Sequence, residues 1–450
     1  MGARARLKQG AARAALQVAR WRGDPLASIL SGPGRDPYPA YERLRLQALA
    51  KSRLGVLATA DYATAAAVLR DSRFSASPSH QAGYRAPVYA EGDPRSGLLG
   101  PETSLLTMDP PDHTRIRRLV ASAFTRRAVE ILEPFVRETT RRLLDAVDVR
   151  AGFDLVDALA FPLPIVVICH LLGVPAEDQG KFRAWGHDLA KSLEPQLTDE
   201  PSIALVHSEL ALTAYLRELI ATRRRQPDTS LLSALAVAEE EGDRLSEAEL
   251  VSTALLLLVA GFETTVNLIA NATAALLEAP TVWEQLREEP ERWPDAVEEL
   301  LRYDSPVQLT SRIATEDVEI AGTAVRRGSP VVVSIGGANR DPKVFSDPDQ
   351  LVLDRSCDEH HLSFSLGIHH CLGASLARLE ARIALEELTS RLDRPSLAGE
   401  PVRRRLLVLR GYESLPLRAL SPTTRAATRT AARTAARTAT RTAAPNRHAV

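Results

Sequence analysis

The stretch 246–278 limits what this chain can become more than any other. Its periodicity predicts one helix, on the order of 45–50 Å long at about 1.5 Å per residue. Within it Leu255–Ala260 is apolar on every side. A helix without a polar face has to be enclosed by other elements. The fold must therefore supply a shell around a helix that crosses the whole domain, and a hydrophobic content of 45% over 450 residues provides the material.

The flanking sequence reads as that shell. From 112 to 278 the pattern is helical almost throughout, with breaks near Ala151-Gly152, Gly173-Val174-Pro175, Pro201, Pro227 and Glu241-Gly242. Helices are predicted over 4–22, from Asp36 to about Leu49, and over 280–288, 293–303 and 374–392. Strands are predicted over 53–59, 309–320, 330–335 and 405–409. Residues 74–106 hold prolines and glycines without a period and read as a long loop, a kind usually functional or disordered. The expected fold class is mainly α (α+β): a single-domain helix bundle with small β sheets.

Three segments are expected. Residues 1–35 form a basic N-terminal segment, 36–420 the globule, and 421–450 an Arg/Thr/Ala low-complexity tail. The first 23 residues carry six basic side chains and no acid, and 414–450 carry seven arginines and no acid. The rest is strongly acidic, which argues against nucleic-acid binding by the body of the protein. The helix over 4–22 reads as a docking helix or frayed end, with a membrane-surface role as the alternative. In the tail, arginine recurs every four residues from Arg425 to Arg441. Such a tract reads as a disordered appendage, or else a basic interaction arm. No run reaches 18 uncharged apolar residues, so no membrane span is expected. Three cysteines, Cys169, Cys357 and Cys371, give no disulfide framework and fit a reducing cytoplasm.

Cys371 stands apart. It lies between Gly367 and Gly373, two residues after His369 and just before a predicted helix. Glycines let backbone approach a bound group closely. Amides at a helix start stabilise a thiolate and lower its pKa. Phe364 can pack beside the sulfur. The alternatives are a buried core cysteine and a zinc site drawing on His360, His361, His369 and His370. Adjacent His-His-Cys wraps one tetrahedral ion poorly, and there is no CxxC or second ligand pair.

The pattern Phe364-x-x-Gly367-x-His369-x-Cys371-x-Gly373 resembles the haem-binding loop of the cytochrome P450 family. The resemblance extends over about residues 36–418, including Asp36–Arg45, Leu163–Pro175, Ala338–Pro342 and Leu409–Pro416. One departure is Ser365, where the family commonly has glycine; serine fits if its φ stays negative. The resemblance implies haem b with Cys371 as the iron's axial ligand. It implies an oxygen-activating acid–threonine pair, Glu263 and Thr264, in Ala260-Gly261-Phe262-Glu263-Thr264-Thr265, where Gly261 leaves space over the haem. Read from the residues alone, a threonine there can bond back to the i−4 carbonyl, with the glutamate in a buried ion pair.

It further implies that His113, Arg117, Arg312 and His369 hold the haem propionates. Glu299, Arg302 and Arg355 would form a structural charge network. The activity implied is monooxygenation of a lipophilic small molecule with dioxygen. No GxGxxG follows a strand, so electrons would come from a separate ferredoxin and its reductase, docking near Cys371. Substrate contacts are expected from 74–106, 185–205, Leu257–Phe262, Val307–Thr310 and Tyr412. A peroxide-using haem-thiolate enzyme and a non-catalytic haem sensor are the alternatives. The chain is expected to be a cytoplasmic monomer.

Overall fold

The computed structural model describes residues 3–86, 103–189, 202–237, 239–240, 243–355, 360–419 and 421–422, with the single positions Asp93, Leu98, Lys191 and Glu194. Cys357, most of the tail, and parts of 74–106 and 185–205 lie outside the described residues.

The central helix runs Glu247–Glu278. Ser246 starts it with a capping box: its hydroxyl accepts the Glu249 N–H, and the Glu249 carboxylate accepts the Ser246 N–H at 2.8 Å. Each satisfies an amide that the helix itself leaves open. By length and composition this helix could cross a membrane. Its place is instead the core, packed against the helices Pro162–Leu172, Ile203–Arg225, Trp293–Tyr303 and Ala374–Arg391. One large apolar cluster fills the contacts.

Gly173 shows how tightly the shell closes. It ends the Pro162–Leu172 helix in the left-handed conformation, φ 76°, and a Cβ there would stand 2.5 Å from the Cβ of Ser230. Only glycine meets both demands.

A five-stranded sheet lies to one side, in the order Ala50–Lys51, Leu57–Thr59, Pro330–Ser334, Leu309–Ala314, Phe74–Ser75. Val331 pairs in parallel with Leu57 and antiparallel with Arg312. Arg312 thereby reaches the site from a sheet, whereas His113 reaches it from the helix Asp112–Ala121.

The helices at 280–288 and 293–303 stand where periodicity put them. Other elements differ. The predicted helix from Asp36 runs only Tyr38–Arg45, because the chain turns there into the first sheet strand. The strand expected over 53–59 is the three residues Leu57–Thr59. The strand expected over 309–320 is two, Leu309–Ala314 and Val318–Ile320. Thr315 leaves the sheet to donate its N–H to the Arg73 carbonyl, and the second piece folds back on Thr323–Val325.

The strand expected over 405–409 does not form; Leu409 alone makes a bridge, to Val307. The Glu194 carboxylate accepts the N–H groups of Leu407, Val408 and Leu409. With those donors taken by a side chain, no ladder can use them.

Candidate functional site

Cys371 precedes the helix Ala374–Arg391 and donates its backbone N–H to the Phe364 carbonyl at 2.8 Å. That bond closes the loop 364–371. Gly367 sits in it at φ 70°, and a Cβ there would stand 2.5 Å from the Leu69 carbonyl oxygen. No side chain fits. Phe364 is clamped between the Arg378 guanidinium, 4.4 Å from its ring, and the apolar cluster of Leu268, Val297, Leu301 and Ala381. Arg378 is itself fixed by Glu298 at 2.6 and 2.8 Å, and Glu298 also meets His361 at 3.2 Å. Sequence reasoning missed Arg378 and Glu298; their i to i+80 pairing has no local signal.

Three expectations for the loop change. Ser365 has φ 59°, in the left-handed region, and its buried hydroxyl finds no partner among the described residues. The loop needs that turn to bring Gly367 against Leu69, whatever the residue. Gly373 has an ordinary φ of −84° with open space around it, so freedom of φ is not its use. Its N–H instead acts on the Cys371 sulfur and favours the charged form. Finally, burial pushes the Cys371 thiol up, and the Gly373 N–H with the Arg117 and Arg378 guanidiniums pull it down only in part. Cys371 is both deep and accessible, so it lies on the wall of a cleft.

Around that cleft the structure gathers His113, Arg117, Arg312 and His369. His113 is 1% exposed, yet neither of its ring nitrogens has a partner among the described residues. Its ring lies 4.5 Å from that of His369, whose Nε2 is likewise unpartnered. Burial, then Arg312, His113 and Arg117, push His369 down to about 3. Arg312 is buried; among the described residues it donates to Thr310 Oγ1 and the Ser311 carbonyl, and burial lowers it to about 10. Arg117 donates to the His370 carbonyl at 2.6 Å. Buried donors left unpaired are costly, and four basic side chains in one place call for anionic oxygens. With a soft sulfur ligand between them, these residues fit an iron porphyrin carrying two carboxylates. No cluster suited to a bare metal ion occurs among the described residues, which leaves the zinc alternative without support.

On the central helix, Ala260, Gly261 and Thr264 are half-buried while Phe262, Glu263 and Thr265 are buried. Thr264 donates to the Ala260 carbonyl at 2.8 Å and Thr265 to that of Gly261 at 3.2 Å. A Cβ on Gly261 would stand 3.4 Å from Ile168, an ordinary van der Waals contact. Phe262, expected to touch substrate, is buried and packs on Phe161 and against Gly186. Glu263 is ion-paired with Arg404, a residue the sequence reading did not single out. Burial raises Glu263, opposed by Arg404.

Glu299, Arg302 and Arg355 do come together. Arg302 meets Glu299 at 2.7 and 2.8 Å, and Arg355 meets it at 3.1 Å. The two arginines also donate to the Asn339, Pro348 and Gln350 carbonyls. Burial pushes Glu299 up, but Arg302 and Arg355 hold it below the ordinary carboxylate range.

The family model "Cytochrome P450" matches residues 95–394. The putative cytochrome P450 140 of Mycobacterium tuberculosis is 40% identical over 406 residues, 88% of this chain and 92% of its own length. The 6-deoxyerythronolide B hydroxylase of Saccharopolyspora erythraea is 41% identical over 364 residues, 79% and 88% of the two chains. Among solved structures, ligand-free CYP164A2 of Mycobacterium smegmatis superposes with a TM-score of 0.78 at 40% identity, covering 87% of this chain and 99% of that one. P450BioI, in complex with an acyl carrier protein ligated to hexadec-9Z-enoic acid, gives 0.77 at 37%, covering 86% and 99%.

Proposed function

The chain belongs to the cytochrome P450 family, and from that premise we propose that Cys371 would ligate the iron of its haem b through its thiolate, with His113, Arg117, Arg312 and His369 holding the propionates. The chain is a monooxygenase enzyme, as its family membership and hydroxylase relatives show. When bound, the haem supplies dioxygen activation at an iron whose thiolate ligand favours O–O cleavage. The observation that carries the residue assignment is the pair of buried histidines, His113 and His369, whose ring nitrogens lack partners among the described residues, with Arg312 and Arg117 beside them.

The protein's own residues divide the remaining work. Arg117 and Arg378 offset the sulfur's charge. Phe364 and its clamp fix the loop and keep water from the sulfur. Thr264, freed from the Ala260 carbonyl, would hold water or dioxygen through its hydroxyl, and Glu263 would pass protons to it. The substrate is a lipophilic small molecule, and the names of the relatives favour a polyketide or a fatty-acyl chain.

Electrons come from a ferredoxin with its reductase. Exposed Ile368 lies in the cysteine loop, and Arg117, bonded to the His370 carbonyl, is followed by exposed Arg118; they suit an acidic protein partner. We read the protein as a cytoplasmic monomer.

The test is the reduced, carbon monoxide-treated protein, which should show the red-shifted Soret band of thiolate-ligated haem. Cys371→Ala should abolish that band, and its survival would remove the assignment. Turnover with a ferredoxin system, and not with peroxide alone, separates the monooxygenase from the peroxide-using and sensor alternatives.

A further inference from the structure

The N-terminal helix Ala3–Trp21 packs on Pro25–Leu30. A helix that serves only the core buries its apolar stripe. This one does the reverse. Ala11, Ala14, Val18 and Trp21 recur at spacings of three and four and so share one face. All four are exposed, Val18 at 49% and Trp21 at 86%. The packed side is that of Ala19, which is buried, with Leu16 half-buried one turn before it.

The charge here is of one sign. From Met1 to Gly23 there are six basic residues and no acid. Arg22 keeps the helical path, since its N–H donates to the Val18 carbonyl at 3.0 Å. Arg20 and Arg22 therefore stand about 100° round the axis from Trp21, in opposite directions. Arg13 lies two turns before Arg20, on the same flank. The apolar stripe has cations along both edges. Arg13 and Arg22 are exposed, and Arg13, Arg20 and Arg22 make no ion pair among the described residues. The next acid in the chain, Asp24, does not offset them. It is buried, and its carboxylate accepts the Ala27 N–H at 2.8 Å, the Ser52 hydroxyl at 2.9 Å and the Arg53 N–H at 2.6 Å.

We propose that this helix seats the protein on an anionic bilayer. It lies in the plane of the headgroups, with Val18 and Trp21 toward the acyl chains and Arg13, Arg20 and Arg22 at the lipid phosphates. A lipid surface meets every feature of the face at once: phosphates match the arginines, acyl chains take the aliphatic stripe, and the headgroup boundary suits an indole with one apolar and one polar edge. Nucleic acid would match the arginines and leave the stripe in water. The helix rests on the bilayer without spanning it, because its cations are spread from Arg4 to Arg20. A cytoplasmic protein meets such a surface at the inner leaflet.

The experiment uses the full-length holoenzyme and sedimentation with vesicles. The protein should sediment with vesicles of phosphatidylglycerol and phosphatidylcholine in equal parts, stay in solution with phosphatidylcholine alone, and be released by salt. Arg13→Glu with Arg22→Glu should weaken binding by on the order of tenfold, and Val18→Ser with Trp21→Ser by on the order of tenfold. All four positions are exposed, so the haem spectrum should not change. Trp21→Phe should still bind, and lipids brominated on the acyl chains should quench a part of the parent's fluorescence that Trp21→Phe lacks. Absence of binding, or equal binding to phosphatidylcholine alone, would overturn the proposal. So would unchanged binding in both double variants, which would assign the lipid contact to another part of the chain. If only the arginine variant weakens binding and the brominated lipids quench nothing, the contact is one that any polyanion could make, and the proposal falls. It falls equally if duplex DNA or an acidic protein binds through these arginines while the vesicles do not.

Discussion

Two single residues carry free energy that their neighbours must offset. Ser365 holds φ 59° with an unpaired buried hydroxyl. A non-glycine residue in that region costs about 1–3 kcal/mol, offset in part by its lower entropy when unfolded. Ser365→Gly should raise stability by about 1 kcal/mol, read as a higher urea midpoint, with the haem spectrum unchanged. Glu380 is buried in the helix after Cys371, where burial raises it to about 8. The folded protein therefore keeps a proton that the unfolded chain releases near the ordinary glutamate value of about 4.3. Stability from this residue is complete below that value and is lost as pH rises through about 8. Glu380→Gln has no proton to lose, so it should gain on the native protein by on the order of a few kcal/mol between pH 5 and about 9. Unfolding curves across that range check it; parallel curves would show that Glu380 is not held neutral.

At the scale of elements, two features of the helices decide the chemistry. The central helix bends its hydroxyls inward: Thr264 and Thr265 both bond back to carbonyls four residues earlier. Such bonds satisfy a hydroxyl in an apolar setting but compete with the helix's own ladder. Removing the Thr264 hydroxyl should leave the helix and haem in place and divert reducing equivalents to peroxide. Thr264→Ala with unchanged coupling would end its role as a relay. The helix Trp293–Tyr303 is tied to the segment 339–355 through Glu299, Arg302 and Arg355. Arg302 is 2% exposed. Glu299→Gln leaves that charge buried without its counter-charge, at a loss of about 3–5 kcal/mol. Urea unfolding of the two proteins at one pH measures it. The i,i+3 spacing of Glu299 and Arg302 is visible in sequence, but so are many surface pairs of equal spacing. Burial alone separates them.

For the whole molecule, the termini are the simplest test. The N-terminal helix Ala3–Trp21 packs on Pro25–Leu30 while leaving Trp21 86% exposed. Ser421 and Pro422 pair with Leu392 and Asp393 at the other end. Residues from 423 on, which hold the arginine repeat, lie outside the described residues. A chain ending at Thr423 should retain the thiolate-haem spectrum and its melting temperature. Loss of haem would mean that the tail is part of the fold.

The amino-acid sequence by itself determined the helical class, the enclosed helix at 247–278, the helices at 280–288, 293–303 and 374–391, and the cysteine loop. Those properties are local: periodicity, caps and breaks act within a few turns of chain. It also marked His113, Arg117, Arg312 and His369, although only folding showed that they share one cleft. What tertiary structure alone decided are the couplings between distant residues. Glu194 takes the amides of 407–409 and so cancels a strand that periodicity favoured. Gly261 faces Ile168. Arg404, 141 residues from Glu263, is the partner of the acid on the central helix. A carboxylate or a guanidinium carries no sequence mark of its partner. The partner is fixed when burial removes water and leaves each charge one neighbour able to replace it.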